Sequence, residues 1–199
     1  SNLSGAIFSN SECEGCIFSS SQLEGLRTQN SVFKSSDFKN SKASKSHWEN
    51  SSLERNEFDG ASLDLSYWKD NSLIENDFIL TTLSQTTFES NHIYKNIFYH
   101  NDFKKSIIKD NLFLNHTGQV LALRANPNYE PEFIYGNSFF GVDFRDSLFL
   151  KNFFALNEFV GCAMQRTKIY ENLFFSVFMN SALNNSEFFD NEVSSLLKI

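Results

Sequence analysis

Stepping by five from Leu3 to Phe113, every residue but Thr28 is apolar. Two residues before each of them stands a small or amide side chain, from Ser1 and Ala6 to Asn111, with Leu26 the one misfit. A period of five matches neither the 3.6 of an amphipathic helix nor the 2 of an alternating strand. A longer period of twenty is laid over it. Phe18, Phe38, Phe58, Phe78 and Phe98 fall in one column, and Trp48 and Trp68 in another. Asn56, Asn76 and Asn96 align, as do Asn71, Asn91 and Asn111. Four quintets per twenty residues describe a coil with four short sides. Coils stacked as parallel strands, about 4.8 Å apart, place like side chains directly above one another. The Phe and Trp columns are then the core of the lumen, and the small or amide residue occupies the crowded corner.

With its quintets in this register, the chain resembles the pentapeptide-repeat family over about 1–115 and 136–195. It departs from the family's usual Ala-(Asp/Asn)-Leu-X-X wording by favouring Ser or Asn at the small position and Phe at the centre. The resemblance implies an all-β fold, a right-handed quadrilateral parallel β-helix (a solenoid) of about eight coils with one inserted loop. At about 4.8 Å per coil the rod is roughly 40 Å long. The family name carries no single function.

The outward columns test this arrangement, because the five-residue rule does not dictate them. Glu49, Lys69, Glu89 and Lys109 alternate in sign, as do Glu14, Lys34 and Glu54, and Arg55, Glu75 and Lys95. Opposite charges on neighbouring strands stabilise by a few tenths of a kcal/mol each, and like charges cost about as much.

The pattern breaks after Asn115 and resumes one step out of phase at Phe139, Phe144 and Phe149. This divides the chain into a first β-helical block (1–115), an inserted loop (116–136), a second block (137–195) and a C-terminal cap or dimer contact (196–199). The loop holds both prolines, and Arg124, Asn126, Tyr129 and Glu130 are its candidate contact residues. Long loops in compact arrays are often functional, yet a tolerated insertion costs little entropy. A second slip, of minus one, falls between Phe174 and Leu183. The open end of such a stack needs a cap, and the C-terminal segment supplies one or joins a second copy as a homodimer.

Composition narrows the function classes. With 23 Phe, 8 Gly and 2 Pro, the chain is neither disordered nor built on Gly/Pro turns. A net charge of −7 disfavours direct nucleic-acid binding. No apolar run is long enough for a membrane span. The chain opens at Ser1, already inside the repeat, as an excised piece of a longer protein would. Three cysteines without a regular framework suit a reducing compartment. Cys13 and Cys16 form a CxxC, but both point inward as lumen and corner residues, and no second pair completes a metal site. His47, His92, His100 and His116 lack ligand spacing, and no phosphate loop is present. No catalytic residue, metal site or cofactor is expected.

Two surface features exceed background. Asp37, Glu57 and Asp77 form a same-sign column with Asp59 beside it, either an acidic ridge imitating DNA phosphates or a solvated stripe softened by Lys34, Lys39 and Arg55. Outward apolar residues form the second feature: Ile79, Leu80, Ile97, Tyr99, Phe140, Phe153, Val160, Leu173 and Phe175. Contiguous exposed apolar area usually marks an interface. The expected function is a non-enzymatic scaffold binding a protein partner, a module of a larger bacterial protein or effector. The alternative, implied by resemblance to the quinolone-resistance members of the family, is a DNA mimic binding DNA gyrase or topoisomerase IV. The expected location is the bacterial cytoplasm, or a host cell if the chain is an effector module.

Overall fold

A computed structural model describes residues 1–114, 137–179 and 181–193. The expected loop at 116–136, its Arg124, Asn126, Tyr129 and Glu130, and the segment 194–199 lie outside the described residues.

The chain winds as a four-sided stack of short parallel strands. On the first face nine strands pair in order, from Ile7–Ser9 and Arg27–Gln29 to Lys168–Tyr170 and Glu187–Phe189. The second face begins at Glu12–Glu14 and Val32–Lys34. The third starts as single-residue pairings, Ile17 to Asp37 to Glu57 to Asp77. It continues as strands Asp77–Ile79, Ile97–Tyr99 and Ser138–Phe140. The fourth face has single-residue pairings alone, from Asn2 with Gln22 to Ala163 with Ala182. Strand Phe153–Val160 turns the corner between the second and third faces and joins them into one twelve-stranded sheet.

The register is twenty, as the columns require: Trp48 lies opposite Trp68 and Phe78 opposite Phe98. Across the insertion it becomes forty-one, Phe98 pairing with Phe139, and every column resumes intact. The minus-one slip occurs where Ala155 pairs with Phe175 but Glu158 with Val177, so one corner residue is missing from the later coil.

Stacking of identical rings follows from this register. Along the column Phe18, Phe38, Phe58, Phe78, Phe98, Phe139 and Phe159, successive centroids lie 4.6–4.9 Å apart. Trp48 and Trp68 stack at 4.8 Å, and each ring meets the Phe column edge-on, as aromatic quadrupoles prefer. All seven of these Phe and both Trp are buried. Each indole N–H donates to a corner serine, Trp48 to Ser46 and Trp68 to Ser66, both at 2.8 Å.

The corners explain the small or amide residue. Asn76 Oδ1 accepts the backbone N–H of Asn56 at 2.9 Å, and its Nδ2 donates to Leu53 O at 2.8 Å. The Asn therefore satisfies two buried backbone groups that the turn leaves unpaired. Immediately before most of these corners the chain is left-handed, with φ near +50° to +70°, usually at a non-glycine residue. None of the described residues in that conformation is Val, Ile or Thr, whose branched Cβ would clash there.

One expectation needs correction. Cys13 and Cys16 pack against the lumen as expected, but they are joined by a disulfide, a bond that the reducing compartment expected for the three cysteines would not favour. The two thiols project toward each other across one corner, with Cα atoms 5.7 Å apart, a separation that a disulfide spans without backbone movement. Cys162 is free and buried, and burial pushes its thiol up to about 11.

Candidate interaction face

The third face changes character along the rod. Its early coils carry the acidic column, with Asp37, Glu57 and Asp77 in direct register. The next outward column on the same face begins Lys39 and Asp59, then turns apolar in parallel register at Ile79, Tyr99, Phe140 and Val160. The acidic and apolar zones thus meet at strand Asp77–Ile79.

Within the acidic zone one cation stands against four carboxylates. Lys39 Nζ lies 2.5 Å from Glu57, which holds the ammonium's pKa above its ordinary value. Lys34 and Arg55, expected to soften the ridge, reach Glu54 instead, at 4.0 Å and 2.7 Å. The cause is the pleat: Lys34 and Glu54 share an outward column of the second face. Burial pushes the Asp59 carboxyl up, with the Asp77 and Glu57 charges adding and Lys39 opposing. Asp77 is raised for the same two reasons, burial first and then Glu57. One carboxylate oxygen of Asp59 is buried without a hydrogen-bond donor.

In the apolar zone, Leu80 is 65% exposed, Ile97 45%, Phe140 43% and Tyr99 42%. Tyr99 and Phe140 stack with centroids 6.2 Å apart, and His100 packs edge-on against Tyr99 at 4.3 Å. The structure brings Ile79, Leu80, Ile97, Tyr99, Phe140 and Val160 together here. Phe153 does not belong to this group: it lies half-buried on the second face, in register with Leu112. Leu173 and Phe175 follow it on that face by backbone register.

Several charged groups on other faces pair with one another. On the fourth face Asp143 binds Arg145 at 2.6 Å and Lys104 at 3.3 Å, and Arg166 forks onto Asp146 at 2.6 and 2.8 Å. On the first face Tyr67 donates to Glu89 at 2.6 Å, and burial with that bond pushes its hydroxyl up to about 12. A shallow depression of about 490 Å³ near the start of that face, lined by Arg27, Lys45, His47 and Glu49, was not legible from the columns. Lys45 is already paired there with Glu24 at 2.7 Å. Among the described residues no group of three or more His, Cys, Asp or Glu gathers as a metal site, and no helix is long and apolar enough to cross a membrane.

The family model for pentapeptide repeats (8 copies) matches residues 1–27. No curated protein matches the sequence. Among solved structures, a trypsin-treated form of QnrB1, a plasmid-mediated fluoroquinolone resistance protein, is similar at 13% identity, covering 98% of this chain and 86% of that one, with TM-score 0.46. HetL, a pentapeptide repeat protein involved in heterocyst differentiation regulation from the cyanobacterium Nostoc sp. strain PCC 7120, is similar at 12% identity over 96% of this chain and 86% of its own, with TM-score 0.32.

Proposed function

We propose that this chain, which belongs to the pentapeptide-repeat family, is a non-catalytic scaffold that binds a protein partner through its third face. The observation that carries this reading is the run of exposed apolar side chains from Leu80 and Ile97 to Tyr99 and Phe140 on a stack whose lumen is already filled. Those side chains are not needed for the core, and water-exposed apolar area of this kind favours burial against a partner. The stack underneath is rigid, so the face is presented in one geometry and little ordering entropy opposes binding.

Site-specific photo-cross-linking tests it. A benzophenone side chain at Tyr99 or Phe140 is expected to trap a protein adduct in cells, whereas the same group at Ser84 on the polar fourth face does not. Equal labelling at all three positions, or none, overturns the reading.

The acidic column supports a second reading, a DNA mimic acting on gyrase or topoisomerase IV. Its weight is reduced because the column is three coils deep and Lys39 lies across it. Gyrase supercoiling titrated with the protein, with and without a fluoroquinolone, separates the two. Salt-sensitive inhibition or protection favours mimicry, and no effect at micromolar protein favours the scaffold.

A further inference from the structure

We infer that the third face receives an amphipathic α-helix of the partner, apolar over one half of its length and carrying Lys or Arg over the other, laid along the rod axis. This rests on the protein-binding reading above and names the chemistry of the occupant.

The backbone of the face has nothing left to offer. Phe58 N–H donates to Asp77 O at 2.8 Å, Ile97 N–H to Asn76 O at 3.0 Å, Leu80 N–H to Tyr99 O at 2.9 Å and His100 N–H to Phe140 O at 2.7 Å. A strand therefore cannot be added to this face, and an occupant must bring its own satisfied backbone and engage side chains alone. A helix does so. Its pitch of about 5.4 Å is close to the coil spacing of about 4.8 Å, so successive helical turns meet successive coils. From Asp37 to the coil of Val160 the face spans about 24 Å, the length of about 16 helical residues.

The two zones then set the sequence of the occupant. Asp37, Glu57, Asp59 and Asp77 face a single ammonium, that of Lys39. Cations arriving over this zone complete the missing pairs. Beyond strand Asp77–Ile79 the exposed Leu80, Ile97, Tyr99 and Phe140 call for apolar side chains. Beside Val160, a Cβ added at Gly161 would meet nothing within 4 Å, so that corner is open among the described residues.

The test uses two synthetic 16-residue helical peptides with the same leucine stripe in their second half, one with four Lys and the other with four Glu in the first half. Fluorescence anisotropy against the full chain is expected to show the Lys peptide binding at least tenfold more tightly, with the gap closing at high salt. A Glu57→Lys, Asp77→Lys double variant is expected to reverse the preference, which a merely unfolded variant would not do. A Phe140→Ser change is expected to weaken the Lys peptide at least tenfold. Equal affinity of the two peptides, or binding unaffected by Phe140→Ser, overturns the inference. If sedimentation shows a dimer that Phe140→Ser dissociates, a second copy of the chain covers the face and the helix is ruled out. Adducts at Tyr99 with no peptide preference leave the scaffold standing and remove only this occupant, whereas loss of the adducts removes the scaffold itself.

Discussion

At the scale of single residues, the corner column entering the fourth face shows what an amide is for. Asn101 sits there between Thr81 and Val142, and both polar atoms of its buried side chain lack a protein partner; Val142 offers Nδ2 no acceptor where an Asn or Ser would. Replacing Asn101 with Val is expected to stabilise the protein by about 1 kcal/mol or more, since an unsatisfied buried amide costs about 1–3 kcal/mol. Asn76→Ala is expected to act in the opposite direction, removing the acceptor for Asn56 N–H and the donor to Leu53 O. Thermal unfolding of the two variants checks the contrast. Asp77 offers a pH test. Its pKa is raised in the folded chain, so the proton is held more tightly there than when unfolded. The associated stability is present below the ordinary carboxylate range and is lost as pH rises through the folded value. Asp77→Asn is therefore expected to raise the melting temperature at pH 7, with the gain shrinking toward pH 4.

At the scale of elements, the corners are the sensitive joints. Gly141 has φ +60°, and a Cβ added there would lie 2.6 Å from Nδ1 of His100, one coil away. Gly141→Ala combines backbone strain with displacement of the ring that packs on Tyr99. It is expected to cost about 1–2 kcal/mol, measured by denaturant unfolding, because left-handed backbone alone costs a residue with Cβ about that much. The disulfide at Cys13 and Cys16 closes a second joint. Its small loop limits the entropic gain, and on the chain-entropy relation it contributes about 2 kcal/mol. Thiol titration of the denatured, unreduced protein is expected to find one free thiol, that of Cys162, among the three cysteines. The columns showed that Cys13 and Cys16 face inward. They did not show the bond, which depends on how tightly the chain turns between them.

At the scale of the whole molecule, stability is carried by columns of neighbours. Phe58 lies between Phe38 and Phe78 at 4.7 and 4.8 Å and meets Trp48 and Trp68 edge-on. Phe58→Ala is expected to cost about 3–5 kcal/mol as a buried aromatic truncation. Lys69→Glu would set like charges beside Glu49 and Glu89 and cost only a few tenths of a kcal/mol. Paired melting curves decide this, and equal losses would mean that residues twenty apart are not stacked. Each alternating column contains one cross-coil ion pair: Lys109–Glu89 at 3.0 Å, Lys95–Glu75 at 3.6 Å and Lys34–Glu54 at 4.0 Å.

The coil is legible in the linear chain. Its five- and twenty-residue periods set which side chains point inward, which stack, and where the register slips, because a parallel stack repeats each position on the position below. The exclusion of Val, Ile and Thr from the left-handed corner residues was equally legible in the same columns, though it becomes evident only once those φ values are known. Side-chain reach and the adjacency of faces emerge from the folded stack. It sent Lys34 and Arg55 to Glu54 and left Lys39 alone on the acidic column. It separated Phe153 from Tyr99 and Phe140 by placing them on different faces. A linear period specifies the column a residue occupies. How far a flexible side chain reaches between columns, and which exposed columns adjoin, depends on the shape of the corners.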